Sequence, residues 1–76
     1  MNIYFISMSN STCCDYWYMD TVVAGRNDAE AISNAEKKFF ENFDINPNST
    51  FILSCVDVNE VKSGFIQVIS SDYGSK

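Results

Sequence analysis

Apolar positions along the chain follow two rhythms. Residues 2 to 9, NIYFISMS, are rich in β-formers and free of Gly and Pro, which predicts a strand. Residues 10 to 15, NSTCCD, are a polar turn region. Residues 16 to 24, YWYMDTVVA, predict a second strand, and so short a connection makes the pair an antiparallel hairpin. Gly25 closes that strand. The rhythm then becomes helical, with Ala31, Ile32, Ala35, Phe39 and Phe43 on one stripe and Phe40 at its edge. Asn27 is a good N-cap, Glu30 can reach back as in a capping box, and Asp28 suits the positive end of the helix dipole. Asn46-Pro47 interrupts the helical pattern. Residues 50 to 58, TFILSCVDV, and 65 to 71, FIQVISS, predict two more strands. A polar turn runs from Asn59 to Gly64, and DYGSK is a short polar tail with Tyr73 as its anchor.

The order ββαββ implies an α+β fold: one helix packed on a four-stranded antiparallel sheet, in a single domain over residues 1–76. Strand order 2-1-3-4 makes every neighbour antiparallel, with the helix crossing one face from strand 2 to strand 3.

Such a layout has a consequence for surface. Successive strand side chains point to opposite faces, and a lone helix covers only one. The uncovered face should be polar, yet both sides of every strand carry apolar groups. Strand 1 sets Ile3 and Phe5 against Tyr4, Ile6 and Met8. Strand 3 sets Phe51, Leu53 and Cys55 against Ile52, Val56 and Val58, and strand 4 sets Phe65 and Ile69 against Ile66 and Val68. In strand 2, Trp17, Met19 and Val23 form the helix-facing set. Tyr16, Tyr18, Asp20 and Val22 then point outward, as rigid aromatics beside an acid. A bare apolar patch marks a partner or dimer face. The alternative is ordinary exposed apolar surface, with a twisted edge tucking some residues inward. An aromatic and acidic face suits a partner carrying Arg or Lys. The candidate binding residues are therefore Tyr16, Tyr18 and Asp20, with Asp15 and Asp57 as electrostatic helpers.

Composition narrows the function classes. Aromatics make up 14% of the residues, which favours a contact surface. Ten acids stand against five scattered bases, a net charge of −5, so direct nucleic-acid binding is not expected. The acidity either mimics nucleic acid in a basic groove or simply favours solubility. The opening MNIYFISMSN lacks a basic region and a long apolar run. The expectation is no secretory signal, no membrane helix and a cytoplasmic location. The Asn-Ser-Thr triplets at Asn10 and Asn48 then read as coincidence.

Chemistry is sparse. The chain has no histidine, which removes the commonest general base and metal ligand. Its glycines, Gly25, Gly64 and Gly74, are too far apart to form a phosphate-cradling loop. Asp57 and Glu60 read as a solvated turn. Cys13 and Cys14 are adjacent, unlike the spaced pairs of structural zinc sites, and read as incidental turn sequence, with redox or metal use as the alternative. Cys55 reads as a small core residue. No enzyme activity, cofactor or metal is expected.

The layout nonetheless has a family likeness. A short opening strand, MNIYFISM, a second strand running into the helix in TVVAGRNDAEAISNAEKKFF, and a closing hairpin resemble several small phage-encoded anti-CRISPR inhibitors. That resemblance covers most of the chain in layout and carries no shared functional residues. It implies a non-enzymatic protein that binds and inhibits a bacterial CRISPR-Cas protein or nucleoprotein complex in the host cytoplasm. The other reading is a self-associating phage or mobile-element accessory protein whose spare sheet face forms a homodimer.

Overall fold

A computed structural model describes residues 1–59 and 61–75. Glu60, expected in a solvated turn with Asp57, lies outside the described residues. The element order is β1 (Asn2–Ser11), β2 (Asp15–Gly25), α1 (Asp28–Phe43), β3 (Ser49–Asp57) and β4 (Gly64–Ser75). The strands form one antiparallel sheet under a single helix, as the hydrophobic pattern predicts. β1, β2 and β4 also run longer than the pattern predicts, while β3 keeps its length and shifts by one residue. β1 and β2 pair from Asn2↔Gly25 to Ser11↔Tyr16, so the hairpin turn shrinks to residues 12 to 14.

The strand order is β3-β1-β2-β4, which corrects the expected 2-1-3-4. β4 lies against β2, at the opposite edge from β3. The expectation treated the polar stretch after β3 as a hairpin turn. From Asp57 to Gly64 there are seven Cα steps, a reach of about 23 Å. Three strand spacings need only about 14 Å. The connection therefore passes the ends of β1 and β2: Val58 N–H donates to Met1 O at 3.0 Å, and Ser63 Oγ donates to Glu30 Oε1 at 2.7 Å and lies 3.4 Å from Ala24 O. The segment read as a polar tail belongs to β4. Tyr16↔Gly74, Trp17↔Tyr73 and Tyr18↔Asp72 are paired.

Helix α1 begins as its sequence dictates. Asn27 Oδ1 accepts from Glu30 N–H at 2.9 Å. Glu30 reaches back one residue beyond the cap, accepting from Arg26 N–H at 2.8 Å and from Arg26 Nε at 3.0 Å. The helix ends where Asp44 adopts a left-handed φ of 57° and donates its N–H to Phe40 O at 2.7 Å. Tyr4 OH donates to Asp28 Oδ1 at 3.1 Å, tying the first turn to the sheet. At Gly25 a Cβ would sit 2.8 Å from Ala31 N, so only glycine lets the strand end come this close to the helix.

The core is the predicted stripe meeting one face of the central strands. Ala31, Ala35 and Phe39 pack on Tyr4, Ile6, Met8, Met19 and Val23, all buried. Thr21 is buried among them and donates its hydroxyl to Ile6 O at 3.2 Å. Phe40 stays exposed at the edge of the stripe.

Two expectations about the edge strands are corrected. Cys55 is exposed rather than a core residue, because α1 lies mainly over β2, β1 and β4 and meets β3 only near Thr50, which donates to Glu36 Oε2 at 2.8 Å, and Ile52. Strict alternation also fails at both edges. A register shift opposite Phe5 and Ile6 places Leu53 in a bulge, so Phe51 and Cys55 fall on opposite faces. Shifts opposite Asp20/Thr21 and Val22/Val23 bulge Ile69 and Ile66 out of β4. Phe65 and Val68 then share the helix side, opposite Val23 and Thr21.

Two outcomes follow from this packing. Replacing Phe39 by Ala should cost about 3–5 kcal/mol in urea unfolding, a large share of the stability of so small a domain. The Glu30 carboxyl is lowered from 4.5 to about 2, first by the Arg26 side chain, then by the Arg26 N–H and Ser63. A lowered folded-state pKa contributes stability above the unfolded value, lost as pH falls through the folded one. Glu30→Gln should therefore be less stable than wild type above pH 4.5, with the gap closing as pH falls toward about 2.

Candidate binding surface

The face opposite the helix can be read row by row from the strand registers. One row is Ser54, Phe5, Val22 and Gln67, and the next is Phe51, Ser7, Asp20 and Ser70. A third is Ser49, Ser9, Tyr18 and Asp72, and Tyr16 beside Gly74 closes the face at the hairpin end. At the other end Val56 pairs with Ile3. The face is thus graded. Ile3, Phe5, Val22 and Val56 make one end apolar, while Tyr16, Tyr18, Asp20 and Asp72 make the other aromatic and acidic. Phe51, 64% exposed, stands beside the middle of the sheet.

Strand alternation places the aromatic and acidic groups together, and cross-strand contacts fix their orientation. Tyr18 donates its hydroxyl to Asp20 Oδ2, which also accepts from Ser70 Oγ at 3.3 Å. Asp20 Oδ1 is shielded from solvent and has no hydrogen-bond partner among the described residues. Tyr16 OH lies 3.5 Å from Asp72 Oδ2, and Asp72 Oδ1 accepts from Tyr73 N–H at 2.9 Å. The Tyr16 ring lies over Gly74, where a Cβ would come within 2.1 Å of the ring. The missing side chain is what lets the ring lie flat on β4. The Tyr18 phenol is raised above its ordinary value of 10.0, chiefly because it donates to the Asp20 carboxylate.

No lysine or arginine pairs with Asp20 or Asp72 among the described residues. Arg26 and Lys38 are engaged elsewhere. Arg26 pairs with Glu30 at 3.0 Å, and Lys38 sits 4.7 Å over the Phe65 ring and 4.0 Å from Glu41. Among the described residues, the graded face therefore presents negative charge with no paired cation beside apolar area.

Of the residues singled out by sequence, Tyr16, Tyr18 and Asp20 come together on this face. Asp15 does not join them. It shares the helix side with Trp17, and its Oδ1 accepts from Tyr73 OH at 3.1 Å. Asp57 lies at the far end of β3, 3.9 Å from the N-terminal ammonium, with its side chain 86% exposed. Asp72 is the member that sequence reasoning missed, because it was assigned to a tail. The available signal was the run from Phe65 to Tyr73, which no Gly or Pro interrupts.

Other surface features carry less chemistry. A broad depression of about 830 Å³ on the outer flank of α1 is lined by Ile32, Ser33, Glu36, Lys37, Phe40 and Glu41. Among the described residues no cluster of three potential metal ligands occurs, and no helix is long and apolar enough to cross a membrane. Cys13 and Cys14 are exposed at the hairpin tip, with their sulfurs 3.0 Å apart.

If Asp20 is what holds the Tyr18 proton, Asp20→Asn should shift the alkaline ultraviolet titration of Tyr18 downward, toward the ordinary phenol value. Removal of a distant acid, as in Asp57→Asn, should leave that titration in place. The surface described here stands on its own geometry: no protein-family model, no curated protein and no solved structure matches the chain.

Proposed function

We propose that the chain is a non-enzymatic binding protein that docks its open sheet face on a protein surface bearing Arg or Lys beside an apolar rim. The supporting observation is the graded face itself. Asp20 and Asp72 carry negative charge beside the Tyr16 and Tyr18 rings, with no cation paired to them among the described residues, next to Phe5, Val22, Phe51 and Val56. Rigid aromatics offer large contact area at low entropic cost, and Asp20 and Asp72 match guanidinium or ammonium groups. Such a surface also penalises acidic partners, which gives it selectivity.

The layout resemblance directs the choice of partner. A CRISPR-Cas effector holds its guide and target in positively charged channels, so it exposes the basic surface this face would accept. On this reading the protein acts in the host cytoplasm as a stoichiometric inhibitor. It makes no direct contact with nucleic acid and needs no cofactor.

A second reading is favoured by a different observation. Edge strand β3 has its outer edge unpaired among the described residues and is covered by the helix side only around Thr50 and Ile52, with Phe51, Leu53 and Val56 more than half exposed. Hydrophobic edges of this kind invite pairing with another strand. A self-associating accessory protein would bury β3 against a second copy.

The readings separate experimentally. Purified effector complexes are titrated with the protein while target binding and cleavage are followed. Stoichiometric loss of activity is expected, and no binding to any effector type would rule the inhibitor out. Tyr16→Ala, Tyr18→Ala or Asp20→Asn should each weaken binding by about 2 kcal/mol, roughly thirtyfold. Asp57→Asn should change it little. A tight dimer in sedimentation, insensitive to the Tyr16 and Tyr18 substitutions and lost with Leu53→Lys, would favour the second reading.

A further inference from the structure

The hairpin tip offers chemistry that sheet docking does not use. In an extended strand, adjacent side chains point apart. At residues 12 to 14 the chain instead turns, and one side chain organises it. Thr12 Oγ1 accepts from Cys14 N–H at 3.3 Å and from Asp15 N–H at 3.0 Å, and the Thr12 hydroxyl lies 3.3 Å from Asp15 O. Thr12 N–H donates to Asp15 O at 2.8 Å. This arrangement turns Cys13 and Cys14 to the same side, with their sulfurs 3.0 Å apart. Both are exposed, and Cys55 lies on edge strand β3 opposite Tyr4, near the other end of β1 from the turn.

We propose that Cys13 and Cys14 form a preorganised dithiol, a reversible redox-modification site that closes to a vicinal disulfide by exchange with low-molecular-weight disulfides such as oxidised glutathione. The thiolate of one cysteine attacks a sulfur of oxidised glutathione, forming a mixed disulfide and releasing one glutathione thiolate, which takes up the proton. The neighbouring thiol then loses its proton and attacks the protein sulfur of that mixed disulfide. The second glutathione leaves as thiolate and is protonated. In sum, two protein thiols are oxidised to one disulfide and one oxidised glutathione is reduced to two reduced molecules.

Geometry sets both the ease of closure and its reversibility. A disulfide bond of about 2.05 Å requires the sulfurs to approach by roughly 1 Å. Exposure lets glutathione reach either sulfur. Adjacent Cα atoms are about 3.8 Å apart, below the usual range of bridged cysteines, so the closed ring is strained. Strained, exposed disulfides are the reducible ones, so the bond opens again in a reducing compartment. The tip leads directly into Tyr16, and closure would stiffen the end of the face that carries it. The redox site itself stands independently of what that face binds.

The test uses the folded wild-type chain and oxidised glutathione, followed by acid quenching, alkylation and mass spectrometry. The expected product has lost two hydrogens, carries no glutathione, and maps to the fragment containing Cys13 and Cys14. Reduced glutathione should restore it. Closure should be about tenfold or more faster in native buffer than in urea, because only the folded turn holds the sulfurs together. Cys14→Ser should instead retain glutathione on Cys13, and Thr12→Val should slow closure while the sheet stays folded by circular dichroism. Glutathione persisting on the wild-type chain, a bond to Cys55, a disulfide-linked dimer, no reaction, or equal closure in urea would each overturn the proposal.

Discussion

One helix cannot cover four strands, and the rest of the molecule follows from that limit. A 16-residue helix is about 24 Å long and about 10 Å wide, so it shields one face and little more than two strand spacings of it. The apolar stripe of Ala31, Ala35 and Phe39 is used up on the central β1–β2 hairpin. Small residues at 31 and 35 let the helix sit close to the sheet, and Phe39 fills the space beyond. Two regions then remain largely without cover: the opposite face, and β3 at the edge apart from Thr50 and Ile52.

The unusual strand order strengthens this asymmetry. Because β3 and β4 flank the hairpin on opposite sides, both late strands become edges. β4 is blunted by two bulges and gains the Trp17–Tyr73 ring contact, with centroids 5.4 Å apart. β3 has a single bulge and meets the helix only at its margin, through Thr50 and Glu36. Its exposed Phe51, Leu53 and Val56 are a liability in an isolated chain and an asset in one that binds.

The same topology assembles the acidic end of the open face. Had β4 paired with β3, Asp72 would lie far from Tyr16 and Tyr18. Placed against β2, it brings Asp72 beside Tyr18 and Gly74 beside Tyr16. The aromatic rings are thus held by cross-strand contacts rather than left free, which lowers the entropic cost of using them as anchors. Hydrogen bonds from the tyrosine hydroxyls direct the carboxylates without neutralising them.

Local patterning in the chain was enough to determine the five elements, the N-cap of α1, the helix-facing stripe and the faces of β1 and β2. Each depends on interactions within a few residues, or on a period that a regular strand or helix repeats. Asn27 capping Glu30 N–H and the Tyr16, Tyr18, Asp20 alternation are of this kind. Tertiary structure alone decided the strand order, the extension of β4 through the apparent tail, the exposure of Cys55 and the arrival of Asp72 at the site. Those outcomes depend on where a six-residue connection lands and on bulges that reset alternation at the edges. Both are set by contacts between residues distant in sequence, and a periodic pattern carries no record of them.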